Sequence, residues 1–179
     1  TVIFEAARAI CALRGVTAKE LAPAVTVLQL FLSSSKPVLR FAAVRALDGV
    51  AARHPLAVTN CNIDLEALIS DPNRGVATLA ISALLKTSGE AGVERLLKQI
   101  GGFMSELGDE FCVVVVKAVA GLCVKFPAKH RALMAFLASA LREDGGFAFK
   151  RAVVDALTRL VWAVPEAREV ALGHLAEFI

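Results

Sequence analysis

Ala43-Val44-Arg45-Ala46-Leu47 is one of five near-copies of a short pattern in this chain. The others are Ala9-Ile10-Cys11-Ala12-Leu13, Ala80-Ile81-Ser82-Ala83-Leu84, Ala118-Val119-Ala120-Gly121-Leu122 and Val153-Val154-Asp155-Ala156-Leu157. The pattern is small or β-branched, β-branched, any residue, small, Leu. Its second positions are Ile10, Val44, Ile81, Val119 and Val154, spaced 34, 37, 38 and 35 residues apart. Self-similarity at such a period is the mark of a repeat architecture.

Each copy lies in a helical pattern. Phe41, Val44, Leu47 and Val50 fall three apart, with Ala43, Ala46 and Ala51 on the same broad face. That is the stripe of an amphipathic helix. A second helix is expected between copies, over Leu21–Leu32, Ile63–Ile69, Gly92–Leu107, Lys129–Leu141 and Glu166–Phe178. Thr17 with Glu20 matches a capping box. Asn62 is placed as an N-cap, and Asp71-Pro72 as a cap followed by a first-turn proline. Pro55, Pro127 and Pro165 stand where repeat helices should stop, and Gly145-Gly146 punctuates before the last copy. Phe111-Cys112-Val113-Val114-Val115-Val116 resembles a buried strand. It runs unbroken into the fourth copy, so a largely buried helix is the better reading. The fold expected is all-α: a right-handed α-solenoid of HEAT or adaptin-like helix pairs, about ten helices, forming one segment over 1–179.

Composition narrows the function classes. Hydrophobic residues make up 56% and charged residues 21%, which excludes intrinsic disorder. The longest uncharged stretch, Leu21 to Ser35, contains Pro23 and ends in three serines, too short for a membrane span. The chain opens on Thr1 and both ends run into apolar periodic sequence, so it reads as a fragment of a longer protein. Exposed apolar faces at the cut ends imply head-to-tail association of the isolated piece. Net charge is only +3 with the cations dispersed, against a nucleic-acid binder.

Chemistry-bearing constellations are sparse. Cys11, Cys61, Cys112 and Cys123 form no CxxC and read as four buried thiols. Gly101-Gly102 and Gly145-Gly146 lack a phosphate-loop context and read as turn or helix-end glycines. His54, His130 and His174 fall in different repeats; His174 and Glu177 share spacing on a helix surface only. Asp109-Glu110 and Glu143-Asp144 flank helix ends, where adjacent acids serve as caps or solvated charges. Trp162 and Asp155, seven apart, sit in apolar surroundings, so Trp162 is expected to pack between repeats. No enzyme activity, metal or cofactor is expected.

Two groups remain as candidates to meet a partner. Arg40, Arg45 and Arg53, with Lys150, Arg151 and Arg159, lie on repeat helices and could face an acidic partner; a solvated face is the default. A Gly-Gly-Phe turn displays side chains outward, which adds Phe147 and Phe149 beside Lys150 and Arg151. The competing expectation is that both Phe residues anchor the turn in the core.

Particular strings go beyond the generic repeat. Glu20 to Phe31 leads into Lys36 to Leu47. Asn62-Ile63-Asp64-Leu65-Glu66, Asp71-Pro72-Asn73-Arg74, Thr78-Leu79-Ala80-Ile81 and Leu84-Leu85-Lys86-Thr87 follow. Further on come Phe103-Met104-Ser105-Glu106, Asp109-Glu110-Phe111, Val113 to Lys117 and Leu141-Arg142-Glu143-Asp144-Gly145-Gly146-Phe147. Several of these strings lie in loops, where packing does not dictate sequence. Together they resemble the middle of the adaptin-like trunk of coatomer gamma subunits, over nearly the whole chain. The resemblance implies a structural scaffold in the COPI vesicle coat, cytoplasmic and peripheral on Golgi membranes and COPI vesicles, serving Golgi-to-ER retrograde and intra-Golgi transport. It implies the zeta, beta and delta subunits as partners, and an Arf-family GTPase in its GTP form, bound through another part of the trunk. The rival reading is a clathrin-adaptor-like or other HEAT-repeat module that binds a peptide or small GTPase in its concave face.

Overall fold

The computed structural model describes residues 2–176. Among them there is no strand, and eleven α-helices follow one another. These are α1 (Val2–Ala12), α2 (Ala18–Leu30), α3 (Pro37–Ala51), α4 (Pro55–Val58), α5 (Asn62–Ala67) and α6 (Arg74–Thr87). Then come α7 (Val93–Met104), α8 (Asp109–Lys125), α9 (His130–Arg142), α10 (Phe147–Ala163) and α11 (Ala167–Ala176). The five repeat copies fall in or at the end of α1, α3, α6, α8 and α10, and the intervening helices alternate with them. Phe111 to Val116 is helical, inside α8.

The second interleaved helix is broken into α4 and α5, joined by a 3-10 turn at Thr59–Cys61 and followed by another at Leu68–Ser70. Thr59-Asn60-Cys61-Asn62 is a run of poor helix formers whose side chains compete for backbone groups. The Thr59 hydroxyl donates to the Leu56 carbonyl at 2.9 Å. Counting this broken element as one gives the ten helices read from the repeats.

The chain forms two compact units, divided between Ser88 and Gly89. In the first, α3 packs between α1 and α6, while α2 and α4 pack together on a second layer. In the second, α8 and α10 pair closely, and α9 packs against α7, α8, α10 and α11. The core of the first unit is centred on α6. Val76, Ala77, Ala80, Ile81, Ala83, Leu84 and Leu85 are all buried, along with Thr78 and Ser82. Thr78 remains satisfied because its hydroxyl donates to the Arg74 carbonyl at 2.8 Å. A helix buried on nearly all sides matches its position among neighbours on several flanks.

The repeat register slips in the outer copies. In α1 the buried stripe is Phe4, Ala7 and Cys11, leaving Ile10 40% and Leu13 56% exposed. In α10 Val153 is buried while Val154 faces out. The residue pattern is shared by all five copies, but the buried stripe in these two is displaced from the pattern's second position.

Helix starts confirm one cap and correct two. Thr17 and Glu20 form a complete capping box at α2: Glu20 Oε2 accepts from the Thr17 N–H at 2.8 Å, and the Glu20 N–H donates to Thr17 Oγ1. That box holds the Glu20 carboxyl below its ordinary pKa. At α6 the cap is Asn73, not Asp71; its Oδ1 accepts from the Gly75 and Val76 N–H groups at 3.0 and 3.2 Å. Asp71 is taken up by Arg40 instead. Asn62 does not cap α5, because its Oδ1 accepts from the Thr87 hydroxyl at 2.7 Å. Pro55, Pro127 and Pro165 each follow the end of a repeat helix, as expected. Gly101 and Gly102 lie in the last turn of α7. Gly15 has a φ of 78°, the left-handed turn that lets α1 end and α2 begin. A side chain at Gly146 would stand 2.5 Å from Asp109 Oδ2 and would have to push that carboxylate aside.

Candidate partner-binding surface

The singled-out cations divide by what holds them. Arg40, on α3, makes a two-pronged pair with Asp71: Nε to Oδ2 at 2.7 Å and Nη2 to Oδ1 at 3.2 Å. Its Nη1 also donates to the Ser34 carbonyl at 2.8 Å. Both side chains are largely buried. Burial pushes the Asp71 carboxyl up, but hydrogen bonds from Arg40 and from the Asn73 N–H, with the Arg40 charge, hold it below its ordinary pKa. Arg40 is therefore an internal clamp. The pair is well built because Arg presents a planar fork to a carboxylate.

Two more cations cap helices. Arg53 donates to the Leu13 carbonyl at 3.1 Å and to the Cys11 carbonyl, closing the C-terminus of α1. Lys150 Nζ donates to the Leu141 carbonyl at 2.7 Å and to the Glu143 carbonyl, closing the C-terminus of α9. A cation there meets unpaired carbonyls and the negative end of the helix dipole. Lys150 also lies 5.5 Å from the Phe149 ring centroid. Its ammonium is thus engaged within the fold.

The Gly-Gly-Phe turn splits its two aromatics. Phe149 is 1% exposed and sits in the core of the second unit, so its outward reading is overturned. Phe147 is 81% exposed at the first position of α10. Two residues on a helix point about 200° apart, so one faces the core and the other does not. Trp162 is also corrected: it is 76% exposed and does not pack between repeats.

Arg45 and Arg151 remain exposed. Arg45 lines a groove of about 560 Å³ between α1 and α3, with Glu5, Arg8 and Arg53. Glu5 and Arg8 pair there at 2.6 Å. Arg151 lines a groove of about 490 Å³ between α8 and α10, with Lys117, Asp155 and Arg159. Sequence reading passed over Lys117. Lys117 immediately precedes the fourth repeat copy, and Arg151 stands two residues before the fifth. These are different register positions, so the repeat does not bring the two together; the pairing of α8 with α10 does.

The remaining polar groups are structural. Lys86 Nζ and Asp48 Oδ1 tie α6 to α3 at 2.5 Å, and Gln29 Nε2 donates to Asp64 Oδ2 at 2.6 Å, tying α2 to α5. Asp109 Oδ2 accepts from the Gly146 N–H at 2.7 Å, so this acid fixes the start of α10. The four cysteines are buried and free, as read from their spacing. Burial raises all four thiols, Cys61 to about 11 and Cys123 to about 12, leaving neither as a thiolate near neutrality. His130 Nδ1 lies 3.0 Å from the Pro127 carbonyl at the start of α9. Glu177, the residue paired with His174 by spacing, lies outside the described residues. Among the described residues no group of three His, Cys, Asp or Glu could hold a metal ion, and no helix is long and apolar enough to cross a membrane.

Known proteins resemble this chain throughout. Coatomer subunit gamma-2 of Oryza sativa subsp. japonica is 64% identical over 178 residues, covering 99% of this chain and 20% of that protein. Coatomer subunit gamma of Arabidopsis thaliana is likewise 64% identical over 178 residues, with the same coverage. Coatomer subunit gamma-2 of Homo sapiens is 60% identical over the same length and coverage. The chain thus spans about a fifth of the length of the curated relatives it matches. The profile of the adaptin N-terminal region matches residues 1–179, and the chain belongs to that family.

Proposed function

We propose that this chain is a non-enzymatic scaffold segment of the trunk of a coatomer gamma subunit, and that it acts in the COPI coat. The observation that carries this reading is the 64% identity to coatomer gamma subunits over 178 residues, loops included. The all-helical repeat structure supports a mechanical role, since each helix pair buries its apolar face on the next. The segment works at Golgi membranes and COPI vesicles, on their cytoplasmic side and without inserting. It forms one stretch of a longer arm that holds the zeta subunit and the beta–delta pair. Arf in its GTP form recruits the assembly through another part of that arm.

Partner contact falls to the exposed members of the candidate set: Arg45, Phe147 and Arg151. Arg40, Phe149 and Lys150 are used inside the fold. The test is to immobilise the chain and challenge it with the zeta subunit, the beta–delta pair, and Arf loaded with GTP or GDP. Saturable binding to a coat subunit, weakened by Arg45→Glu or Arg151→Glu, is expected. Binding to none of them would overturn the partner-contact reading and leave a spacer.

A further inference from the structure

We propose that the groove between α8 and α10 is a docking site for an acidic helical segment of a partner protein. This deepens the partner-contact reading of Arg151 and rests on it. The groove is lined by three cations, Lys117, Arg151 and Arg159, and one carboxylate, Asp155. All four are exposed, and among the described residues no ion pair or side-chain hydrogen bond engages any of them. Arg8, Arg40, Arg53, Lys86 and Lys150, by contrast, are each held by an acid or a carbonyl. Three cations facing one carboxylate repel one another, and an anionic occupant relieves that repulsion.

Spacing and depth select the occupant. Arg151, Asp155 and Arg159 stand at i, i+4 and i+8 on one face of α10. The two guanidinium-bearing positions are therefore about 12 Å apart along the axis, with a negative charge midway. A partner helix with carboxylates two turns apart presents one acid to each Arg and keeps clear of Asp155. Lys117 faces the same groove from α8 and also borders its extension near Arg159 and Val124. The floor is made of Ala120, Ala152 and Ala156, which are half-buried or buried and allow a backbone to approach closely. An anionic membrane surface fits less well. Apart from Val113, the main groove is lined by alanines and charged side chains, which offer little to insert, and a flat surface cannot follow a recessed floor.

The test uses this chain and a fluorescent alanine-rich helical peptide with glutamates two turns apart, measured by anisotropy. Its partner probe is the same peptide with glutamine at those positions. Saturable, salt-sensitive binding of the Glu peptide alone is expected. Arg151→Glu with Arg159→Glu should weaken it by roughly tenfold or more, because like charges then meet across the contact. Asp155→Asn should tighten it, and Lys19→Glu, a charge reversal at an exposed position of α2 in the first unit, should leave it unchanged. A circular dichroism spectrum matching the parent confirms that the double variant is folded. The proposal is overturned by equal affinity for the Gln peptide, by indifference to the folded double variant, or by co-sedimentation with phosphatidylserine vesicles in place of peptide binding. Absence of peptide binding in a chain that still captures a coat subunit overturns the groove alone. Peptide binding without subunit capture overturns the coat reading alone.

Discussion

The groove between α1 and α3 and the groove between α8 and α10 are built alike but use their charge differently. Each carries two arginines eight residues apart, Arg45 and Arg53 in one, Arg151 and Arg159 in the other. Arg53 stands beyond the end of α3, close enough to reach the last carbonyls of α1. Arg159 lies within α10, where the helix's own hydrogen bonds occupy the neighbouring carbonyls. In the first groove Arg8 is also taken by Glu5. Of each pair of arginines eight residues apart, the one beyond a helix end, Arg53, becomes structural, while Arg159, within its helix, stays open to the groove.

The strongest test of that distinction is on the internal side. Arg40→Met leaves Asp71 buried with its charge unmatched, and a loss of about 3–5 kcal/mol in unfolding free energy is expected. Urea titrations followed by circular dichroism measure it. The Asp71 carboxyl is lowered in the folded chain, so it adds stability that is full above the ordinary carboxylate pKa and is lost as pH falls through the folded value. The parent should therefore lose stability on acidification below about pH 4 more steeply than Arg40→Met. A change under about 1 kcal/mol at neutral pH would show that the clamp is not a clamp.

Lys150 sharpens the comparison within the second unit. It is one residue from Arg151 but ends on the carbonyls of α9, while Arg151 ends in the open groove. Lys150→Met should cost about 1.5–3 kcal/mol, the range for a hydrogen bond to a charged donor. An unfolding midpoint equal to the parent's would remove the distinction between these neighbours.

Much of the fold was legible because the signals were local. The five copies located the repeat helices, the prolines marked their ends, and Thr17 with Glu20 marked a start that the structure reproduces. Thr17→Ala should cost about 1 kcal/mol by thermal melting, as for other caps. What failed depended on contacts distant in sequence. Asp71 has the sequence of a cap, but Arg40, 31 residues earlier, takes its carboxylate and passes the cap to Asn73. Asn62 loses the same role to Thr87, 25 residues later. Phe147 and Phe149 look equivalent in the string, and only the phase of α10 separates them. The candidate surface was half legible: Arg45 and Arg151 were named for their place on repeat helices. Lys117 was missed because its relevance comes from the pairing of α8 with α10.

The smallest expected effect decides whether the open cations are truly open. Arg45→Glu and Arg151→Glu should each change unfolding free energy by no more than about 0.5 kcal/mol, as for surface positions without partners. Arg151→Glu should be the slightly worse of the two, since it sets a like charge four residues from Asp155, a pair that costs about 0.2–0.5 kcal/mol. Raising the salt should erase that difference, because exposed charges are screened over roughly a 3 Å length at molar ionic strength. Paired urea titrations at low and high salt read both quantities. A salt-independent loss at Arg151 would mean that its side chain serves packing, and the groove would then belong with the internal charges of the first unit.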